Sequence, residues 1–155
     1  MVELYRQERG LAAEEVQTTG LWRHKDVEWL AASPDRLIGN TMLLEVKTTA
    51  QVGAPTPAFL IQIMVQLACT QRFSCDLAQF SYKTKQLRID RVRYDVDLFR
   101  LIYKHLSFVA AKAADLRALG TAPDEAYIAP IDFREHRELR DELRDTLKTH
   151  VRQLL

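Results

Sequence analysis

Apolar positions recur along the chain with two different periods, and the switches between them divide it into elements. Residues 3–17 predict a helix, with Thr18 and Thr19 leading into a turn that Gly20 helps to form. VEWLAA at 27–32 predicts a strand, which Ser33-Pro34-Asp35 breaks because proline cannot continue a central ladder. A short return through Leu37 and Ile38 reaches the turn pair Gly39-Asn40, and MLLEVK at 42–47 carries the strongest strand pattern of the sequence. A loop holding Gly53, Pro55 and Pro57 follows. From Ala58 to about Thr70 apolar residues fill most of a helical cylinder, as in a largely buried helix. Residues 74–82 and 86–94 predict two strands joined by Lys83-Thr84-Lys85. Residues 96–119 carry a long amphipathic pattern ended by Gly120, and 121–134 hold two prolines and read as irregular. In the tail, Leu139, Leu143, Leu147, Val151 and Leu154 return at helical spacing; that helix either packs on the body or serves a partner.

The order is helix, three strands, buried helix, two strands, long helix, tail helix. It predicts a mixed β-sheet flanked by helices, a single α/β or α+β domain. A length of 155 residues suits one domain with its own core. The longest apolar runs are too short or too interrupted to span a bilayer. No segment near Met1 joins a basic stretch to an apolar one, so no secretory signal is expected. Cys69 and Cys75 are too few for a four-thiolate metal site and read as small, reduced core residues, which points to the cytoplasm. A net charge of +1 argues against a nonspecific DNA coat but not against a DNA enzyme, because a phosphate feels the local field.

Chemistry concentrates at one place. Asp35 follows Ser-Pro at a strand end, Glu45 lies ten positions later inside the next strand, and Lys47 two beyond it. Residues two apart on a strand share a face, so Glu45 and Lys47 project together while Val46 points to the opposite layer. If strands 27–32 and 42–47 are neighbours, Asp35 comes beside Glu45. An aspartate after proline is by itself an ordinary turn residue, and Glu-x-Lys an ordinary surface ion pair. Leu43, Leu44 and Val46, however, mark this strand as buried, where unpaired charge is costly. Two crowded carboxylates call for a cation between them, Mg²⁺ or Mn²⁺, and a lysine beside such an ion suits phosphodiester hydrolysis.

SPDRLIG…LLEVKT resembles the PD-(D/E)XK nuclease superfamily. Within it, the chain looks most like the lambda exonuclease and YqaJ-type viral recombinase family. Those proteins share an SPDGL-like segment, a ten-residue step to the glutamate of an E-(L/V/I)-K strand, and a glutamine-bearing helix. Here that helix reads FLIQIMVQLACT, with Gln62 and Gln66 one turn apart on one face. The family also carries a glutamate in its first helix ahead of a Thr-Gly or Ser-Gly, a position matched by Glu8 in ERGLAAEEVQTTG. The resemblance spans roughly residues 4–95, leaving a helical part over about 96–155.

It implies a restriction-endonuclease-like fold in which Asp35 and Glu45 ligate metal with the backbone carbonyl of Val46, and Glu8 completes the site. Lys47 would handle the attacking water, and Gln62 would bond to Lys47 or the DNA. Gln66 either contacts DNA or satisfies buried polar groups. Arg9, Arg36 and Trp22, the last in the basic turn Leu-Trp-Arg-His-Lys, are the candidate DNA contacts. Arg36 replaces the family's glycine, Phe59 stands where relatives often carry tyrosine, and Met64 replaces a second glutamine. Few residues precede Glu8, where relatives have a longer region that helps bind the DNA end and its 5′-phosphate, so a shortened relative is expected.

The function expected from the resemblance is a Mg²⁺-dependent, 5′–3′ exonuclease of double-stranded DNA ends in phage-type recombination. Its partners would be DNA, a single-strand annealing protein and further copies of itself, by resemblance in rings of three. An endonuclease or structure-specific nuclease with the same chemistry is an alternative, and so is a non-catalytic DNA-binding module that keeps the fold.

Overall fold

In the computed structural model, which describes residues 1–118 and 137–153 apart from the side chains of Leu116 and Leu139, helices frame two sheets. Helix α1 (Val2–Arg9) leads through a 3₁₀ turn (Ala13–Glu15) to β1 (Val16–Thr18), β2 (Trp22–His24), β3 (Val27–Ala32), β4 (Arg36–Ile38) and β5 (Met42–Thr49). Then come α2 (Pro57–Thr70), β6 (Ser74–Ser81), β7 (Leu87–Arg93), α3 (Val96–Ala118) and α4 (Arg137–Gln153). Gly120, the stretch 121–134, Leu154 and the side chain of Leu139 lie outside the described residues.

The expected helix over 3–17 stops at Arg9. Gly10 takes the left-handed conformation (φ 64) that glycine adopts without steric penalty, and its own N–H and that of Leu11 turn back onto the carbonyls of Gln7 and Arg6. The freed chain becomes an edge strand: β1 pairs antiparallel with β4. The main sheet runs β1-β4-β5-β6-β7, with β5 and β6 parallel and the other pairs antiparallel, so it is mixed as expected.

Strand β3 is not the neighbour of β5. It pairs with β2 in a separate two-stranded ribbon, and β4 takes the place beside β5, with Arg36 opposite Leu44 and Ile38 opposite Met42. Ser33-Pro34-Asp35 is thus the crossing from ribbon to sheet, not only a strand stop. The expected basic turn at 21–25 is instead largely strand β2.

Each face of the main sheet has its own core. Tyr5 of α1 packs with Val16, Ile38, Leu44 and Ala78 on one face. Leu43, Cys75, Leu77 and Val92 meet α2 on the other, together with Leu30 of the ribbon, Leu98 and Ile102 of α3, and Leu143 and Leu147 of α4. This surround explains why α2 is apolar on nearly all sides. Its start is fixed by Thr56, whose Oγ1 accepts the Phe59 N–H at 3.3 Å, with Pro57 at the first position. The ribbon is held on α3 by stacked pairs, His24 on Phe99 and Trp29 on Tyr103.

Charge is buried on the α1 face. Asp76, fully enclosed, accepts from Tyr5 Oη at 2.9 Å and from Arg91 at 2.8 and 3.1 Å, and pairs with Arg9 at 3.1 Å. Burial, and the hydrogen bond to Asp76, push the Tyr5 hydroxyl well above the usual tyrosine range, so it stays a donor. Just beyond β7, the amides of Leu98 and Asp97 and the imidazole of His150 all bond to Asp95. That arrangement starts α3 and ties α4 to it.

Candidate active site

Alternation along β5 decides what faces what. Leu44 and Val46 belong to the α1 face; Leu43, Glu45 and Lys47 turn toward α2. The β4–β5 ladder ends at the Arg36–Leu44 pair, so Asp35 stands one step further, across from Glu45. There the next free N–H of β5, that of Val46, donates to Asp35 Oδ2 at 2.7 Å. The tight β4–β5 turn thus delivers the aspartate that an adjacent β3 was expected to bring.

Glu45 is 2% exposed. A buried carboxylate needs donors for its lone pairs, and three side chains supply them. Lys47 Nζ donates to Oε1 at 2.6 Å and Gln62 Nε2 to the same oxygen at 2.7 Å. Gln66 Nε2 donates to Oε2 at 2.8 Å. Lys47 Nζ also donates to Gln62 Oε1 at 3.0 Å, closing a triangle that fixes the amide's orientation. The Phe59 ring lies 5.4 Å from the same Nζ, a cation–π contact where a tyrosine hydroxyl was noted as missing.

With about four acceptor sites per carboxylate, two on Oε1 and one on Oε2 are taken. One lone pair of Glu45 Oε2 and the Oδ1 atom of Asp35 are left without a described donor. Two carboxylate oxygens with a strand carbonyl form a hard, all-oxygen donor set, which suits Mg²⁺ or Mn²⁺ that keep water and substrate phosphate as their other ligands. The thiols are no rivals: burial, then the nearby Glu45 and Asp76 carboxylates, push Cys75 far up, and burial raises Cys69.

Five of the residues singled out in the sequence therefore meet: Asp35, Glu45, Lys47, Gln62 and Gln66. Glu8 does not join them. Its helix packs on the opposite face of the sheet, and Glu8 lies beside Arg9, Leu87 and Ile89 at the β7 edge. Among the described residues no group of three or more His, Cys, Asp or Glu side chains is placed to hold a metal ion. Arg9 is engaged by Asp76 on that same far face, away from the carboxylate pair. Gln66 is 1% exposed, so it braces Glu45 and contacts the Ser33 carbonyl at 3.4 Å; burial removes it as a DNA contact. Trp22 is half-buried, donates to Thr19 Oγ1 at 2.6 Å and carries the Arg72 guanidinium over its ring, a packing role. Arg36, paired with Leu44, turns to the α1 face and donates to the Asp35 carbonyl at 2.6 Å, so it stands on the side of the sheet opposite Glu45 and Lys47. An open, mainly apolar cleft of about 350 Å³, with Leu30, Ala32, Ile61, Val65 and Leu106 in its walls, runs beside Gln62 and Gln66.

No family model and no curated protein sequence matches the chain. Among solved structures, the alkaline exonuclease LHK-Exo of Laribacter hongkongensis matches with a TM-score of 0.68 and 29% identity. The match covers 77% of this chain and 66% of that one. LHK-Exo in complex with dAMP gives a TM-score of 0.66 and 29% identity, over 76% and 65%. The chain thus spans just under two thirds of the length of the exonuclease it resembles. The likeness bears out both the mixed, helix-flanked sheet and the resemblance to PD-(D/E)XK nucleases of the lambda exonuclease kind.

Proposed function

We propose that this chain is a divalent-metal-dependent exonuclease acting on the ends of double-stranded DNA. The observation that carries the reading is the joint arrangement of Asp35, Glu45, Lys47 and Gln62, at the edge of a fold shared with an alkaline exonuclease. Asp35 and Glu45, with the Val46 carbonyl, would hold Mg²⁺, with Mn²⁺ as a substitute. Such an ion, when bound, lowers the pKa of water and neutralises charge on a phosphate. Glu8 has no part in this set, and water or phosphate takes its coordination place.

The protein's own groups do the rest. Lys47 is held by Glu45 and Gln62 and so keeps its ammonium aimed at one spot beside the carboxylates, where it orients the attacking water and balances charge at the scissile phosphate. Gln62 bonds to both Lys47 and Glu45 and sets the distance between them. The apolar cleft beside the glutamines is large enough to take part of a nucleotide.

The 5′–3′ direction, the role in phage-type recombination, the ring of three, the annealing partner and the cytoplasmic setting are further parts of this proposal, carried by the family resemblance. Among the described residues no helix is long and apolar enough to cross a membrane. The test is a digestion of linear and closed circular duplex with and without Mg²⁺. Wild type should degrade the linear form and spare the circle, and Lys47→Ala should spare both. Cleavage of the circle would make the enzyme an endonuclease, and no cleavage of either form with Mg²⁺ or Mn²⁺ would refute a nuclease altogether.

A further inference from the structure

Two buried polar side chains of β6 have no part in the chemistry described so far. Gln79 and Ser81 are 3% and 0% exposed, and they follow Leu77 at two-residue steps on the α2 face. In register, Gln79 stands beside Lys47 and Ser81 beside Thr49. Both reach out of the sheet. Gln79 Nε2 donates to the Gly53 carbonyl at 2.7 Å, and Ser81 Oγ donates to the Ala50 carbonyl at 2.6 Å.

Ala50 and Gly53 belong to the segment 50–56, which joins the strand bearing Glu45 and Lys47 to the helix bearing Gln62 and Gln66. At its far end Thr56 caps α2, and Phe59, within the first turn, lies against Lys47. Gln79 is steadied in turn: Asp90 lies at 3.5 Å from its Nε2, and Arg88 grips Asp90 through contacts of 2.7 to 3.0 Å. A row of polar groups therefore runs from β7 through β6 to the connecting segment, along the end of the sheet where the site lies.

We propose that Gln79 and Ser81 are positioning residues of the active site. By holding segment 50–56 at two carbonyls they fix α2 against β5, so that Gln62 and Phe59 meet Lys47. Lys47's bonds of 2.6 and 3.0 Å leave little room for a shift of α2, because hydrogen bonds weaken steeply beyond such distances. The kinetic side of this inference rests on the nuclease reading; the geometric side does not.

Gln79→Met removes the donor and keeps the side-chain length, and Ser81→Ala removes the hydroxyl. Lys47 reactivity toward acetic anhydride, read by peptide mass spectrometry, reports its surroundings without requiring activity. Circular dichroism shows whether each variant is folded. Folded variants should acetylate Lys47 severalfold faster than wild type. They should also lose about tenfold in kcat on linear duplex with KM little changed, the cost of a slight misplacement. Wild-type acetylation rates in both folded variants would overturn the proposal, as would a fall in kcat no larger than the fall in folded fraction. An inactive wild type would sink the nuclease reading alone, and the acetylation rates would still decide this one.

Discussion

Gln66→Met isolates what the second glutamine does. Methionine keeps the length and apolar stem of a side chain that is 1% exposed and removes the donor that holds Glu45 Oε2 at 2.8 Å. A hydrogen bond to a charged group contributes about 1.5–3 kcal/mol, and the 3.4 Å contact to Ser33 adds little. Against this, Gln66 buries an amide oxygen that no donor among the described residues meets, and removing that acceptor returns about 1 kcal/mol. The net loss is then about 0.5–2 kcal/mol, which for a chain of this size lowers Tm by about 1–8 °C. A divalent cation bound at Glu45 would meet the oxygen that Gln66 vacates. Mg²⁺ should therefore raise the variant's Tm by more than it raises that of wild type, where saturation at a hundred times Kd is worth about 2.7 kcal/mol. The assay is thermal unfolding followed by circular dichroism, in EDTA and in Mg²⁺. A variant as stable as wild type in EDTA would refute the bracing of Glu45 by Gln66.

Tyr5→Phe deletes the hydroxyl that reaches fully buried Asp76 at 2.9 Å, and should cost about 1–3 kcal/mol in urea unfolding; no loss would mean that the two arginines alone satisfy Asp76. The contact between His150 and Asp95, 3.0 Å long, makes the docking of α4 depend on pH. Partial burial pushes His150 down, but its bonds to Asp95 and the Thr146 carbonyl outweigh this and hold it above the ordinary 6.5. The Leu98 amide, then His150, hold Asp95 below its ordinary 3.8. The histidine's contribution is full below pH 6.5 and is lost as pH rises through its raised value; the aspartate's is present above 3.8 and is lost as pH falls through its lowered value. Amide protection across α4, the intrinsic base-catalysed rate divided by the observed exchange rate, should therefore be greatest between those limits and fall on the alkaline side, and His150→Ala should flatten that fall. An alkaline loss of protection that survives in His150→Ala would show that another group controls the docking.

The elements read most clearly from the sequence were those whose pattern is enforced locally. MLLEVK alternates across a strand buried on both faces, and the sequence FLIQIMVQLACT is apolar around most of its circumference because sheet, ribbon and two helices surround it. The spacing of Gln62 and Gln66 put both on one face, yet only their depth separates a side chain at the site's mouth from one sealed behind it. Strand pairing was harder. VEWLAA looks equally fit for the main sheet or for a ribbon, and its partner is chosen by tertiary contacts such as Trp29 on Tyr103. Glu8 lies apart from Glu45 for a similar reason. The helix it sits on ends at Gly10, well before Gly20, and Tyr5 turns that helix onto the face opposite Glu45. Gln79 and Ser81 give no signal in the sequence, because a polar residue inside a strand pattern looks like a solvent-facing one until both faces are known to be covered.

The mixed sheet also sets an order of events in time. Asp35 and Glu45 sit on either side of the short β4–β5 turn, so the two carboxylates can meet on the microsecond scale of hairpin closure, about 1–10 μs. Gln62 and Gln66 arrive with the parallel β5–β6 pairing, a non-local closure through α2 that is slower. For that interval a refolding chain holds two like charges together without the amides that later quiet them. Lys47, two residues from Glu45, offsets part of that repulsion, and the remainder would act as a brake on assembly. Mg²⁺ present during refolding would release that brake, so its effect should appear in the folding rate and not in the unfolding rate alone.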